Sequence, residues 1–167
     1  MNFRITKFEF RSLKILLAMT FFGATANSNA ETLTFSSFRI DVEDAWAKSL
    51  EKAPQAHNEM GELISISHPN GNSILKMQTY NAPDFVPKET LRNMTNVDRS
   101  TPLTWQDWGD YSGYQYDYSE GGSSYRQWWL VNQRTIIFVV YEASAEPTDI
   151  EIDEIDEIVN SMTVNES

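Results

Sequence analysis

The sequence predicts an α+β fold, in which an antiparallel β-sheet of about five or six strands is covered by helices on both faces. Hairpin signals separate the strand-like segments, and tight hairpins join antiparallel neighbours. Segments 128–131 and 136–141 are apolar at successive positions, so both faces of these strands must be buried. The segment after Pro147 has the apolar spacing of a C-terminal amphipathic helix, which would cover one face.

The strand predictions rest on alternating or continuous apolar runs between turn signals. Asn70-Gly71 supplies the positive φ angles of a tight hairpin, and Gly121-Gly122 marks a second one. Gly109-Asp110 interrupts a long run and predicts a bulge or a turn there. The predicted strands cover residues 38–42, 62–67, 73–80, 104–118, 125–131 and 135–141.

Three segments have helical spacing. Residues 43–53 carry apolar side chains at helical intervals, although a loop that buries Trp46 is the alternative. A modest apolar stripe predicts a second helix over residues 88–98. The third helix follows Pro147, and Thr148 or Asp149 can cap its first turn. Its apolar stripe consists of Ile152, Ile155, Ile158, Val159 and Met162.

Residues 1–30 have the order of a secretory signal peptide. A basic leader precedes an apolar stretch over residues 15–24, and small residues follow up to Ala30. The apolar stretch has about half of the ~20 residues needed to span a bilayer, and the chain has no Cys for a lipid anchor. We therefore expect cleavage near Ala30 or Ala26, a periplasmic or secreted protein, and no stable membrane anchor.

Charge is strongly acidic outside the leader. The chain holds 13 basic and 24 acidic residues, and residues 1–30 remove four basic and one acidic, which leaves 9 and 23, a net charge of −14. Such a surface repels phosphate backbones, so nucleic-acid binding is disfavoured. The acidic surface suits binding to a basic protein partner. The alternative is that the charge serves only to keep the protein soluble. Residues 31–167 show no repeat or linker and are long enough for one domain with its own core.

Four stretches together resemble a known family. They are residues 38–46, 125–130, 136–141 and 155–162, which contain Phe-Arg-Ile, Tyr-Arg-Gln-Trp-Trp, Phe-Val-Val-Tyr and Ile-Val-Asn-Ser-Met. This pattern resembles the PsbP-like α/β/α sandwich superfamily, especially its small bacterial envelope proteins of the DcrB-like type. The resemblance implies a non-catalytic accessory, chaperone or partner-binding role without a cofactor. Two departures are the lack of a Pro before Trp46 and the lack of the lipoprotein Cys common among DcrB-like members.

No motif predicts a catalytic, cofactor or metal site. His57 and His68 are the only histidines, no Gly-x-Ser-x-Gly elbow occurs, and no metal-ligand spacing is present. The acidic runs at residues 41–44 and 149–157 lack the ligand spacing of a calcium loop. We interpret the second run as the solvated face of the last helix.

Aromatic residues mark the candidate contact site. Nine Tyr and Trp side chains fall within residues 105–129, and alternate tyrosines of one strand share a face. Cross-strand stabilisation of a hairpin explains such a row without a ligand. An exposed part of the row would instead contact a partner or a glycan. The candidate contact residues are Trp105, Trp108, Tyr111, Tyr114, Tyr116 and Tyr118.

The functional prediction is an exported, non-enzymatic binding or accessory protein, either a chaperone or an immunity-like protein that binds a basic protein partner. The alternative is a glycan-binding or glycan-active envelope protein that uses the aromatic row with acids such as Asp107, Asp110 or Asp117. A structural envelope protein without a specific ligand is the third hypothesis.

Overall fold

The computed structural model describes residues 30–52 and 60–165, and this part of the chain contains ten strands and two helices. The helices are α1 (Lys88–Met94) and α2 (Asp149–Asn160). The strands are β1 (Ala30–Thr34), β2 (Phe38–Glu43), β3 (Ala47–Lys52), β4 (Met60–Ser67), β5 (Ser73–Asn81), β6 (Trp105–Trp108), β7 (Tyr111–Glu120), β8 (Ser123–Asn132), β9 (Thr135–Ala143) and β10 (Thr163–Val164). All strand pairings are antiparallel, so the fold is α+β with a large share of antiparallel sheet.

The strands form two sheets. The larger sheet has seven strands in the order β3-β4-β5-β9-β8-β7-β6, and the smaller has three in the order β1-β2-β10. The prediction of about five or six strands was therefore too low. The run over residues 104–118 divides at Gly109, whose φ of 56° turns the chain between β6 and β7. The remaining extra strands are β1, β3 and β10.

The helix predicted over residues 43–53 is wrong. Residues 47–52 form β3 at one edge of the larger sheet, where Lys48 lies opposite Ile66 and Leu50 opposite Ile64. Pairing with β4 gives this segment backbone hydrogen bonds on one side, and tertiary pairing overrides a weak helical pattern. Trp46 lies in the turn before β3 and is buried, in agreement with the alternative interpretation.

Helix α1 ends at Met94, four residues before the predicted end. Asn96 has a φ of 55°, a left-handed conformation that does not continue a helix. The guanidinium of Arg92 then donates to the carbonyls of Val97, Asp98 and Thr101 at 2.9–3.0 Å. The arginine therefore orders the loop that replaces the last predicted turn.

Two hydrophobic clusters lie on opposite faces of the larger sheet. In β8, Trp128 and Leu130 belong to the first cluster, whereas Trp129 and Val131 belong to the second, so the predicted burial of both faces is confirmed. The first cluster includes Phe38, Ile40, Ile64, Leu75, Met77, Ile137, Ile155 and Val159. The second includes Val86, Leu91, Tyr114, Ile136, Phe138 and Val140. The residues that cover the two faces of the larger sheet are thus not all helical. Strand β2 contributes to the first cluster, and the connection around α1 contributes to the second.

Helix α2 has the predicted position and polarity. The Thr148 hydroxyl accepts a hydrogen bond from the backbone N–H of Glu151 at 3.2 Å, which caps the first turn. Ile155, Ile158 and Val159 are buried against the first cluster. The chain leaves the helix through Met162, which is also buried, and enters β10.

The predicted signal peptide lies outside the described residues, except that Ala30 is the first residue of β1. The second predicted cleavage point, Ala26, also lies outside them. In the part of the chain that the structure describes, no helix has both the length and the apolar character to cross a membrane.

Candidate functional site

Half of the predicted aromatic contact residues belong to the core. Trp108, Tyr111 and Tyr114 are exposed by 5%, 1% and 3%, and they are members of the two hydrophobic clusters. Burial raises the pKa of Tyr111 to about 12. These three side chains therefore stabilise the sheet and offer no surface to a partner or glycan.

Trp105, Tyr116 and Tyr118 are partly exposed. The ring of Trp105 packs edge-on against Tyr114, with 5.2 Å between ring centres, and the Lys88 ammonium lies 5.4 Å from its ring centre. Trp105 is therefore held between the core and a cation, which limits the ring area that a ligand could reach.

Tyr116, Tyr118 and Tyr125 form a tyrosine stack on β7 and β8. The ring centres of Tyr118 and Tyr125 are 4.8 Å apart with planes 10° apart, and those of Tyr116 and Tyr118 are 6.0 Å apart. The Tyr116 hydroxyl donates to the Gln127 side chain at 2.5 Å, and the Gln127 amide donates to the Tyr118 hydroxyl at 2.7 Å. Tyr118 thus stacks on both of the other rings, an arrangement that agrees with cross-strand stabilisation.

The opposite side of the same hairpin is tied to α2. Arg126 contacts both carboxylate oxygens of Asp117 at 2.8 and 3.1 Å, and both of Asp156 at 2.9 and 3.0 Å. Asp117 therefore lies on the face away from the tyrosine stack, as the alternation of the strand predicts. Its carboxylate is therefore paired with Arg126, although the side chain remains 56% exposed.

A buried polar network joins the β4–β5 turn to the first turn of α2. We call it the Glu151 network; it consists of Glu151, Ser73, Tyr141, Asn70 and His68. Glu151 is only 6% exposed and accepts hydrogen bonds from the Tyr141 hydroxyl at 2.6 Å, the Asn70 amide at 3.2 Å and the Ser73 hydroxyl. Burial alone would raise the pKa of Glu151, but the hydrogen bonds from Ser73, Tyr141 and Asn70 outweigh it and lower the pKa.

His68 is fully engaged within this network. Its Nδ1 accepts from the backbone N–H of Asn70 at 3.2 Å, so the proton resides on Nε2, which lies 2.9 Å from a Glu154 oxygen. The ring also packs edge-on against Trp46 at 4.7 Å. Because neither ring nitrogen is available, His68 is not positioned as a general base. Ser73 donates to Glu151 and has no imidazole partner, so no nucleophile–base pair forms here.

The Glu151 network was not predicted from the sequence. Residues 149–157 were interpreted as a solvated face and His68 was given no structural role, yet Glu151 is buried and His68 is partly buried. A signal was present in the spacing, because Glu151 precedes Ile155 by four residues and therefore lies on the apolar stripe of α2. His57 lies outside the described residues.

An acidic cleft of about 220 Å³ lies between β2 and α2. The hydroxyl of Ser161 joins its two walls by accepting from the backbone N–H of Asp41 at 2.8 Å. Four carboxylates and no basic side chain line the cleft, and the buried side chains of Trp46 and Ile158 lie behind them. The lining residues are Ala30, Asp41, Glu43, Trp46, Glu154, Glu157, Ile158 and Ser161.

Two basic side chains near the cleft and the hairpin form ion pairs with acids of the chain itself. Lys48 contacts Glu31 at 2.5 Å, and Arg126 lies between two aspartates. Arg39 belongs to neither pair: its guanidinium donates to the Val164 carbonyl at 3.5 Å, so β2 carries one cation along with Asp41 and Glu43. Within residues 30–52 and 60–165, no group of three or more His, Asp or Glu side chains is placed to hold a metal ion.

No protein-family description matches the chain, and no curated protein is similar enough in sequence to be matched. Two solved structures are similar in three dimensions. A protein from Bacteroides thetaiotaomicron VPI-5482 has 9% identity and a TM-score of 0.55 over 77% of this chain. The match covers 45% of that protein, so the present chain spans less than half of its length.

The second solved structure is cyanobacterial PsbP (CyanoP) from Synechocystis sp. PCC 6803. It has 9% identity and a TM-score of 0.53, and the match covers 88% of this chain and 99% of CyanoP. At this identity the likeness bears on the fold and carries no functional residue across. The chain has a PsbP-like fold.

Proposed function

We propose that this is an exported, non-enzymatic binding or accessory protein, and that its partner is a protein with a basic surface. The observation that carries the proposal is the net charge of −14 over residues 31–167. A charge of this size speeds association with an oppositely charged partner and disfavours acidic ones. A chaperone and an immunity-like inhibitor both fit this description, as does a DcrB-like envelope protein.

The acidic cleft is the place where this charge is best arranged for contact. Carboxylates from β2 and α2 face a concave space, where low-dielectric walls concentrate the electric field. A partner's Lys or Arg side chain would place its charged end among these carboxylates. Trp46 and Ile158 also line the cleft, but both are buried and offer little apolar surface to the stem of that side chain. The cleft volume of about 220 Å³ admits a side chain rather than a small-molecule substrate.

The contacts of the candidate catalytic groups support a binding role over an enzymatic one. Both ring nitrogens of His68 are engaged, and the Ser73 hydroxyl is committed to Glu151. The glycan-binding alternative has less support, because Trp108, Tyr111 and Tyr114 are buried and Tyr118 stacks on both Tyr116 and Tyr125.

The experiment is an affinity capture from periplasmic extract of the organism that encodes the protein. We expect one or more basic proteins to bind at about 50 mM salt and to dissociate at about 0.5 M salt, because dissolved ions reduce the range of electrostatic attraction. The test variant combines Glu43→Lys with Glu157→Lys, both at the cleft. The matched control combines Glu120→Lys with Asp153→Lys, which makes the same charge change on exposed residues outside it.

The control should retain more binding than the cleft variant. Equal loss in both variants would assign binding to net charge and not to the cleft. Capture of no protein at either salt concentration, or capture that both variants leave unchanged, would contradict the proposal.

A further inference from the structure

The turn between β4 and β5 contains an Asn-Gly pair that the proposed function does not use. Asn70 and Gly71 are both exposed, and Gly71 has a φ of 72°. A Cβ built on Gly71 would meet no other atom within 4 Å, so no neighbouring side chain crowds the Cα of Gly71. We propose that Asn70 is a site of spontaneous deamidation, and that its conversion loosens the turn from α2.

The chemistry needs only this dipeptide and water. The backbone nitrogen of Gly71 attacks Cγ of the Asn70 side chain, and the side-chain nitrogen leaves as ammonia with the proton that the backbone nitrogen gives up. Water then opens the resulting five-membered imide at either carbonyl. One opening leaves an aspartate at position 70, and the other leaves an isoaspartate that routes the backbone through the former side chain. Asparagine is among the thermolabile residues for this reason.

Three hydrogen bonds restrain the reacting groups in the folded protein. The Gly71 N–H donates to the His68 carbonyl at 3.0 Å, and the Asn70 side-chain oxygen accepts from the Asn72 N–H at 2.8 Å. The Asn70 amide nitrogen donates to Glu151 at 3.2 Å. Attack requires the first and third of these to open, so the Glu151 network sets how often the dipeptide reaches a reactive geometry.

The product would disturb the same network. An aspartate at position 70 places a carboxylate where an amide now donates to the buried carboxylate of Glu151. A hydrogen bond is then replaced by repulsion between like charges in a partly buried site. An isoaspartate also lengthens the backbone of the turn, which is closed by the His68 N–H donating to the Ser73 carbonyl at 3.1 Å.

The first test follows the wild-type, full-length mature protein during incubation at neutral and mildly alkaline pH. Peptide mapping by mass spectrometry measures amide-to-acid conversion at each asparagine. Asn72 and Asn160 serve as internal controls, since both are exposed and both precede a serine. We expect Asn70 to convert several times faster than either control, and faster again in the Glu151→Gln variant. Equal conversion at the three positions would overturn the proposal.

The second test measures the consequence with product mimics. Asn70→Asp should lower the thermal midpoint by about 3–6 °C, because it removes a donor to Glu151 and adds a like charge. Asn72→Asp adds the same charge to the same turn, but the side chain of Asn72 makes no hydrogen bond to Glu151, so its midpoint should change little. Equal midpoints for the two variants would refute the link between Asn70 and α2.

Discussion

Replacing Glu151 with glutamine separates the shape of the buried network from its charge. Glutamine keeps the size of the side chain and one carbonyl oxygen, which can still accept from Tyr141 and Ser73. The second oxygen becomes an NH₂ group, which meets the Asn70 amide that now donates to Glu151 at 3.2 Å. Two hydrogen bonds therefore weaken, and one is lost.

The size of the effect follows from these three bonds. A hydrogen bond to a charged group contributes about 1.5–3 kcal/mol and one between neutral groups about 0.5–1.5 kcal/mol. The lower cost of burying a neutral amide offsets part of the loss. We expect Glu151→Gln to lower the free energy of unfolding by about 1–3 kcal/mol at pH 7. Urea unfolding followed by tryptophan fluorescence measures this difference.

The pH dependence has a defined sign. The pKa of Glu151 in the folded protein is lowered from its ordinary value of 4.5, so folding favours the ionised form. Its contribution is complete above the ordinary pKa and is lost as the pH falls through the folded pKa. The stability gap between wild type and Glu151→Gln should therefore be constant near neutral pH and should narrow below about pH 4.5.

Glu157→Gln is the matched control, because Glu157 is an exposed carboxylate on the same helix. Its effect should stay within about 0.5 kcal/mol, as is usual for surface substitutions. The reasoning is refuted if Glu151→Gln is as stable as wild type at pH 7, or if the gap between them is the same at pH 3.5 and pH 7.

Two further substitutions test the sheet and the loop after α1. Gly113→Ala should destabilise the protein by about 4 kcal/mol or more, because the new Cβ would lie 1.9 Å from the backbone oxygen of Trp129. Thermal unfolding measures this effect, and a midpoint close to that of wild type would contradict the predicted clash. Arg92→Ala should lower stability by about 1–3 kcal/mol and speed hydrogen exchange of amides in residues 95–101, since the guanidinium donates to three carbonyls there. Unchanged exchange in that loop would show that the arginine does not order it.

Local patterns in the sequence predicted the elements that depend on local physics. The Asn70-Gly71 turn, the Thr148 cap and the apolar stripe of α2 are all present in the structure. Each depends on residues within a few positions of one another, so spacing and turn chemistry are sufficient to predict them.

Elements that depend on distant partners were not predictable in this way. Residues 47–52 become a strand through pairing with β4, a partner that the helical spacing of the segment does not reveal. The three-stranded sheet joins residues 30–34 and 163–164 through β2, over a separation of more than a hundred positions. In the candidate site, Tyr111 and Tyr114 are buried because other elements pack on both faces of β7. The alternation of residues along β7 does not show which elements pack on each face.

The strands β8 and β9 contribute successive side chains to both hydrophobic clusters. Trp128 and Trp129 are chain neighbours, yet each is buried in a different cluster. If the elements that cover either cluster separated from the sheet, one face of β8 and β9 would be exposed to water. Neither cluster can therefore unfold without destabilising the two strands that it shares with the other cluster. The two layers should therefore unfold in a single cooperative transition, and the slowest-exchanging amides should be those of β8 and β9.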